Sequence, residues 1–131
     1  MFNDSIRAFL QKPHIARMST LDPEGYPHTV PVWFMLDGDD LVIISERNTR
    51  KVEHIRANPK GAVSIGGNPG DGEGYLLKGE FSIEEDDGLA WMRRLTYHYE
   101  SGNEAERDIA AWSELDMIVI RFKPKRVSRV I

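Results

Sequence analysis

The longest apolar runs in this chain are short. HTVPVWFML and LVIIS are joined by DGDD, two apolar stretches around an Asp-Gly turn, which predicts a β-hairpin. HIARMST is short and mixed enough for an earlier strand, and LDPEGYP after it is dense in turn residues. AVSIG and YLLKGEFSI predict two more strands across GGNPGDGEG, which can only be a flexible loop; Gly79 marks a bulge. LDMIVIRFKPKRVSRVI predicts a last, long strand with a basic tail.

Helical spacing appears in four places. Ile6, Phe9 and Leu10 follow an i, i+3, i+4 pattern with Asp4 or Ser5 as cap and Pro13 as stop. Asn48 or Thr49 can cap a helix carrying Val52, Ile55 and Arg56, ended by ANPK. EEDDGLAWMRRLTYHYE opens on acids and sets Leu89, Met92, Leu95 and Tyr99 along one face. NEAERDIAAW reads as a further short helix, with Asn103 as cap and Glu106 completing a capping box. The predicted order is helix, three strands, helix, two strands, two helices, strand. Six hairpin-linked strands with few small helices make a mainly β, α+β chain and favour a closed antiparallel barrel over a layered parallel sheet.

Length and charge narrow the function. The 131 residues fit one domain, 1–131, without an internal repeat or low-complexity tract. Net charge of -4 and a pI near 5.6 argue against nucleic acid or an anionic membrane as main partner. There is no cysteine, which excludes disulfides, zinc-thiolate sites and cysteine nucleophiles. MFNDSIRAFLQKP lacks the apolar core of a signal peptide, and no segment approaches the roughly 18 apolar residues of a membrane span. A cytoplasmic protein is the expectation.

Two local oddities carry the chemistry. In SERNTRKVEHIRANPK, Arg50 and Lys51 occupy the first turn of a helix, where the macrodipole disfavours cations. With Arg47 close by, free amides, dipole and cations converge, which is how a phosphate is bound without a glycine-rich loop. The plain alternative is a solvated basic patch. Pro31 interrupts the best strand, so it marks an edge or a bulge where Val30 and Val32 have backbone groups to spare for a planar, amide-rich ring. An ordinary edge strand would read the same way. Trp33 and Tyr99 suit a core or interface; His28 and His98 lack a carboxylate at helical spacing, so no metal site is expected. No serine sits in a nucleophile-elbow context. A phosphate site without an evident catalytic side chain fits a bound cofactor that brings its own reactivity.

At these residues the sequence resembles the pyridoxamine 5'-phosphate oxidase-like family of split β-barrel flavoproteins, from about His14 to Arg126. MSTLDPEGYPHTVPVWF is similar to the family's opening hairpin, SERNTRKVEHIRANP to its phosphate-binding turn, and YLLKGEFSI and IRFKP to its last strands. The resemblance implies a six-stranded antiparallel split β-barrel and a homodimer holding two FMN or 8-hydroxy-5-deazaflavin molecules between its subunits. It implies that Arg50 and Lys51 bind the cofactor phosphate. Val30, Pro31, Val32 and Trp33 would line the isoalloxazine, Ile44 and Ser45 would close the phosphate side, and Gly74 and Tyr75 would reach the cofactor from the other subunit. The oxidase's Arg-Pro…Ser-Gln segment and terminal Arg-x-His pair are replaced here by RRLTYHYESGNEAERD and RFKPKRVSRVI, so vitamin B6 synthesis is not expected. The implied activity is hydride transfer between FMN, or a deazaflavin, and a small organic substrate, with no catalytic protein side chain. A non-catalytic flavin- or haem-binding protein for storage or sensing is the competing expectation.

Overall fold

Two residues, Trp33 and Phe34, decide the shape of the sheet. The computed structural model describes residues 1–131. In chain order its elements are α1 (Asp4–Leu10), β1 (Ala16–Leu21), β2 (Pro27–Val32), β3 (Met35–Asp37) and β4 (Asp40–Glu46). Then follow α2 (Arg50–Ala57), β5 (Lys60–Gly66), β6 (Gly74–Glu85), a single 3-10 turn (Asp87–Leu89), α3 (Ala90–Tyr99), α4 (Gly102–Trp112) and β7 (Met117–Arg129). The strands form one antiparallel sheet of seven in the order β2-β1-β5-β6-β7-β4-β3. Its two edges, β2 and β3, are therefore consecutive in the chain. Three residue steps span about 10 Å at most, so the sheet must curl until its edges nearly meet. The result is a split barrel, as expected, with an open seam instead of full closure.

The sequence pattern predicts one strand through HTVPVWFML where the chain makes two. The run is continuous in hydropathy, but Trp33 and Phe34 leave the ladder to cross the seam, which adds a seventh strand. The bulge expected at Gly79 is present as a register shift between Lys78 and Gly79. There a Cβ would run into the Lys123 carbonyl of β7, so the position requires glycine.

Alternation sorts the side chains. Leu41 and Ile43 of β4 point into the barrel with Met18, Val63, Leu77, Ile118 and Phe122, all fully buried. Phe9 and Leu10 of α1 and Val52 and Ile55 of α2 add to this core. Val42 and Val119 face outward and are buried beneath Leu95 of α3. The helical hairpin α3–α4 thus belongs to the outer face of β4 and β7.

Helix starts depart from expectation in two places. Asn3, not Asp4 or Ser5, caps α1, accepting from the Ile6 amide at 2.8 Å. The cap of α4 is Ser101 instead of Asn103. At α3 the acidic opening acts from outside the helix: buried Asp86 accepts from the Trp91 and Met92 amides, both at 2.9 Å. Leu89 just before it takes a φ of 58°.

The α3–α4 junction contains a titration that couples to folding. Glu100 Oε1 is buried without a partner. Burial, followed by the neighbouring Asp108 carboxylate, pushes this carboxyl up to about 7. Between the usual 4.5 and about 7 the folded chain holds more protons than the unfolded one, so stability falls as pH rises through that window. The Glu100→Gln protein is expected to melt higher than wild type at pH 8. The difference should vanish below pH 4.5, which thermal melts across the range will check.

Candidate functional site

At the seam, the chain builds an apolar groove with one charge. A cavity of about 230 Å³ is lined by Pro31, Val32, Trp33, Ile44 and Lys51, together with Met92, Leu95, Thr96, Trp112 and Met117. The first five come from β2, the seam crossing, the outer face of β4 and the first turn of α2. The others come from the helical hairpin and the start of β7. Trp33 is held flat against Tyr99, ring centroids 4.6 Å apart and planes within 3°, with Trp112 edge-on at 5.7 Å.

The Tyr99 hydroxyl fixes that aromatic wall. It donates to the His14 carbonyl at 2.6 Å and accepts from the Phe34 amide at 3.0 Å. Burial pushes this phenol up to about 12, so it stays a neutral donor throughout the physiological range.

Lys51 is the groove's only charged residue. Its side chain is half-buried, and it makes no ion pair. Burial lowers its pKa from the usual lysine value, and the Glu46 carboxylate opposes that shift. The amides at the start of α2 are equally unserved: Thr49 occupies the cap position, but its hydroxyl donates to the Glu46 carbonyl at 3.3 Å and makes no cap bond. An ammonium without a salt bridge in an apolar groove, on a helix whose first amides lack a side-chain cap, is complementary to an anion on a flat, apolar body.

The other basic residues nearby have different fates. Arg47, which the sequence places in the same cluster, is committed elsewhere: it pairs with Glu85 at 2.8 Å and Asp116 at 2.9 Å, and these hydrogen bonds raise its pKa. Arg50 is exposed and lines a neighbouring cleft of about 630 Å³ between the β1–β2 turn and α2. That cleft also holds Asp22, Glu53 and His54, whose Nδ1 lies 2.9 Å from the Thr20 hydroxyl.

The remaining predicted positions lie apart from the groove. Val30 packs on the barrel core. Ser45 is buried and donates to the Glu46 carbonyl at 2.9 Å. Gly74 presses on the backbone of Gly67, and Tyr75 is a core residue beside Phe9 whose hydroxyl donates to Glu73 at 2.6 Å. Both sit at the start of β6, beside the β5–β6 loop, and line no part of this groove. The sequence reading omitted Met92, Leu95, Thr96, Trp112 and Met117. Met92 and Leu95 showed as one helical face, but nothing in the spacing says which strands that face covers.

With this geometry in view, comparison with known proteins gives the family. The pyridoxamine 5'-phosphate oxidase family model matches residues 2–130, and the chain belongs to that family. Among solved structures it is similar to a protein named F420 reductase, with 22% identity, 97% of this chain and 98% of that chain covered, and a TM-score of 0.77. It is also similar to general stress protein 26 of Bacillus anthracis strain Sterne (18% identity, 96% and 91% covered, TM-score 0.71). HupZ of Group A Streptococcus matches as well, at 15% identity, 99% and 100% covered, and a TM-score of 0.68. At these identities the structural likeness establishes the fold. No curated protein matches the sequence.

Two substitutions test the site. Tyr99→Phe leaves the Phe34 amide and His14 carbonyl short of a partner and should cost about 1–3 kcal/mol in urea unfolding. Lys51→Met removes a poorly solvated charge and should raise the melting temperature of the ligand-free protein at pH 7.

Proposed function

We propose that this chain is a flavin-dependent oxidoreductase, active as a cytoplasmic homodimer, that passes a hydride between a bound cofactor and a small organic substrate. The cofactor proposed is FMN, with an 8-hydroxy-5-deazaflavin as alternative. The single observation that carries the reading is Lys51, a half-buried ammonium that lines the groove behind the seam and makes no salt bridge.

The residues present fit such a cofactor. Lys51 and the open amides of α2 would hold the phosphate, and exposed Arg50 would add charge from the neighbouring cleft. Pro31, Val32 and Trp33 would border the planar ring, with Ile44 and Met117 excluding water beneath it. FMN or a deazaflavin, when bound, supplies the hydride chemistry; the protein binds, orients and desolvates. No side chain in the groove is placed as a general acid or base, so none is assigned a proton.

Size supports the dimer. A groove of about 230 Å³ falls below the roughly 300–1,000 Å³ that encloses a drug-sized ligand. A second copy laid along the β2 edge would complete it and bring its Gly74 and Tyr75 loop within reach. The oxidase's substrate-gripping residues are absent from the α3–α4 region and the tail, so the substrate proposed is not a vitamin B6 phosphate.

Lys51→Ala should weaken FMN or deazaflavin binding by about 1.5–3 kcal/mol, the value of a charge-assisted bond, and Arg50→Ala by less. Fluorescence titration of the purified protein measures both. Affinities unchanged in a variant carrying both Arg50→Ala and Lys51→Ala would refute the phosphate assignment. Tight binding without turnover, tested with reductants and acceptors, would favour the storage or sensing role.

A further inference from the structure

The barrel carries a second anion-shaped feature, on the outer face of β5, β6 and β7. Register places Ala62, Lys78 and Arg126 in one row across these strands, and Lys60, Glu80 and Lys123 in the next. Residues opposite one another in a row share a face. The bulge in the β6–β7 ladder inserts Lys125 beside them. A shallow trough of about 500 Å³ lies between Lys60, Lys78, Glu80, Lys125 and Arg126, floored by Gly61, Ala62 and Gly79.

The charges there are unbalanced. Lys125 pairs with Glu80, the only acid in the two rows. Lys60, Lys78, Lys123 and Arg126 are exposed and make no ion pair. Lys78 stands directly opposite Arg126, a like-charge arrangement that destabilises an antiparallel pair. Yet acids outnumber bases in this chain, 21 to 17. A flat floor of two glycines and one alanine, ringed by cations that repel one another, is complementary to a dense anion that can bridge several of them at once.

We propose that this face binds a compact polyphosphate, the linked phosphates of a small metabolite such as a nucleoside di- or triphosphate. Three strands cover only about 10 Å, a footprint that an extended nucleic acid would overrun. The trough has no aromatic side chain in its lining, so no base is stacked and the phosphates alone are read. The site is distinct in residues from the seam groove and does not depend on what that groove holds.

Sodium tripolyphosphate is the probe, titrated by calorimetry against orthophosphate and sulfate at matched ionic strength. Wild-type protein should bind one tripolyphosphate per chain at this face, about tenfold or more tighter than either single anion. The Lys78→Gln, Arg126→Gln double variant should lose at least that factor, and should melt higher than wild type without anion because the cross-strand repulsion is gone. Lys51→Ala should retain tripolyphosphate binding at this face. Equal affinity in wild type and double variant, loss of binding in Lys51→Ala, or tighter retention of a single-stranded oligonucleotide than of tripolyphosphate would each overturn the proposal. Burial of this face between subunits would appear as no binding in wild type and would overturn it too.

Discussion

The hydroxyl of Tyr99 joins three parts of the chain that the sheet itself leaves apart. It ties the segment entering β1, through the His14 carbonyl, to the residue that crosses between the two sheet edges, through the Phe34 amide. Neither edge strand has a hydrogen-bonded neighbour on its outer side, so this side chain substitutes locally for the ladder that a closed barrel would have. Because the same ring stacks on Trp33, the bond that steadies the seam also orients one wall of the groove. Fold and site therefore share an element, and the groove exists because the barrel is not closed.

The charge distribution separates structural cations from available ones. Arg121 reaches Asp37, Asp40 and Glu84, linking β3, β4, β6 and β7 on the outer face. Arg47 does similar work between β4, β6 and the start of β7. Such partly exposed networks leave those guanidinium groups with nothing to offer a ligand. Lys51 and, on the β5–β7 face, Lys60, Lys78, Lys123 and Arg126 are the contrasting cases. All are placed where they cost the protein something and gain no partner within it.

Much of this was readable in the sequence, for identifiable reasons. The hairpins were legible because DGDD and the glycine-rich loop punctuate short apolar runs, and Pro31 announced an edge because it has no N–H to give. Lys51 stood out because a cation in the first turn of a helix opposes the macrodipole. The seam was not legible: Trp33 and Phe34 are as apolar as their neighbours, and only pairing shows that they belong to no strand. Nor could spacing reveal that Arg50 and Lys51, adjacent in the chain, turn into different cavities, a consequence of the roughly 100° step between successive helical residues. The helical hairpin's part in the groove was hidden for a related reason, since amphipathicity reports that a face is buried but not against what.

The edge strand β2 begins at Pro27 and carries Pro31 four residues later, two positions of the same strand phase and both exposed. An isolated copy of the chain presents this edge to any other chain it meets. Proline at two of its outward positions deprives an intruding strand of the donors it needs to extend the sheet. Strand-by-strand aggregation is thus checked by two residues that the sheet itself does not need as donors.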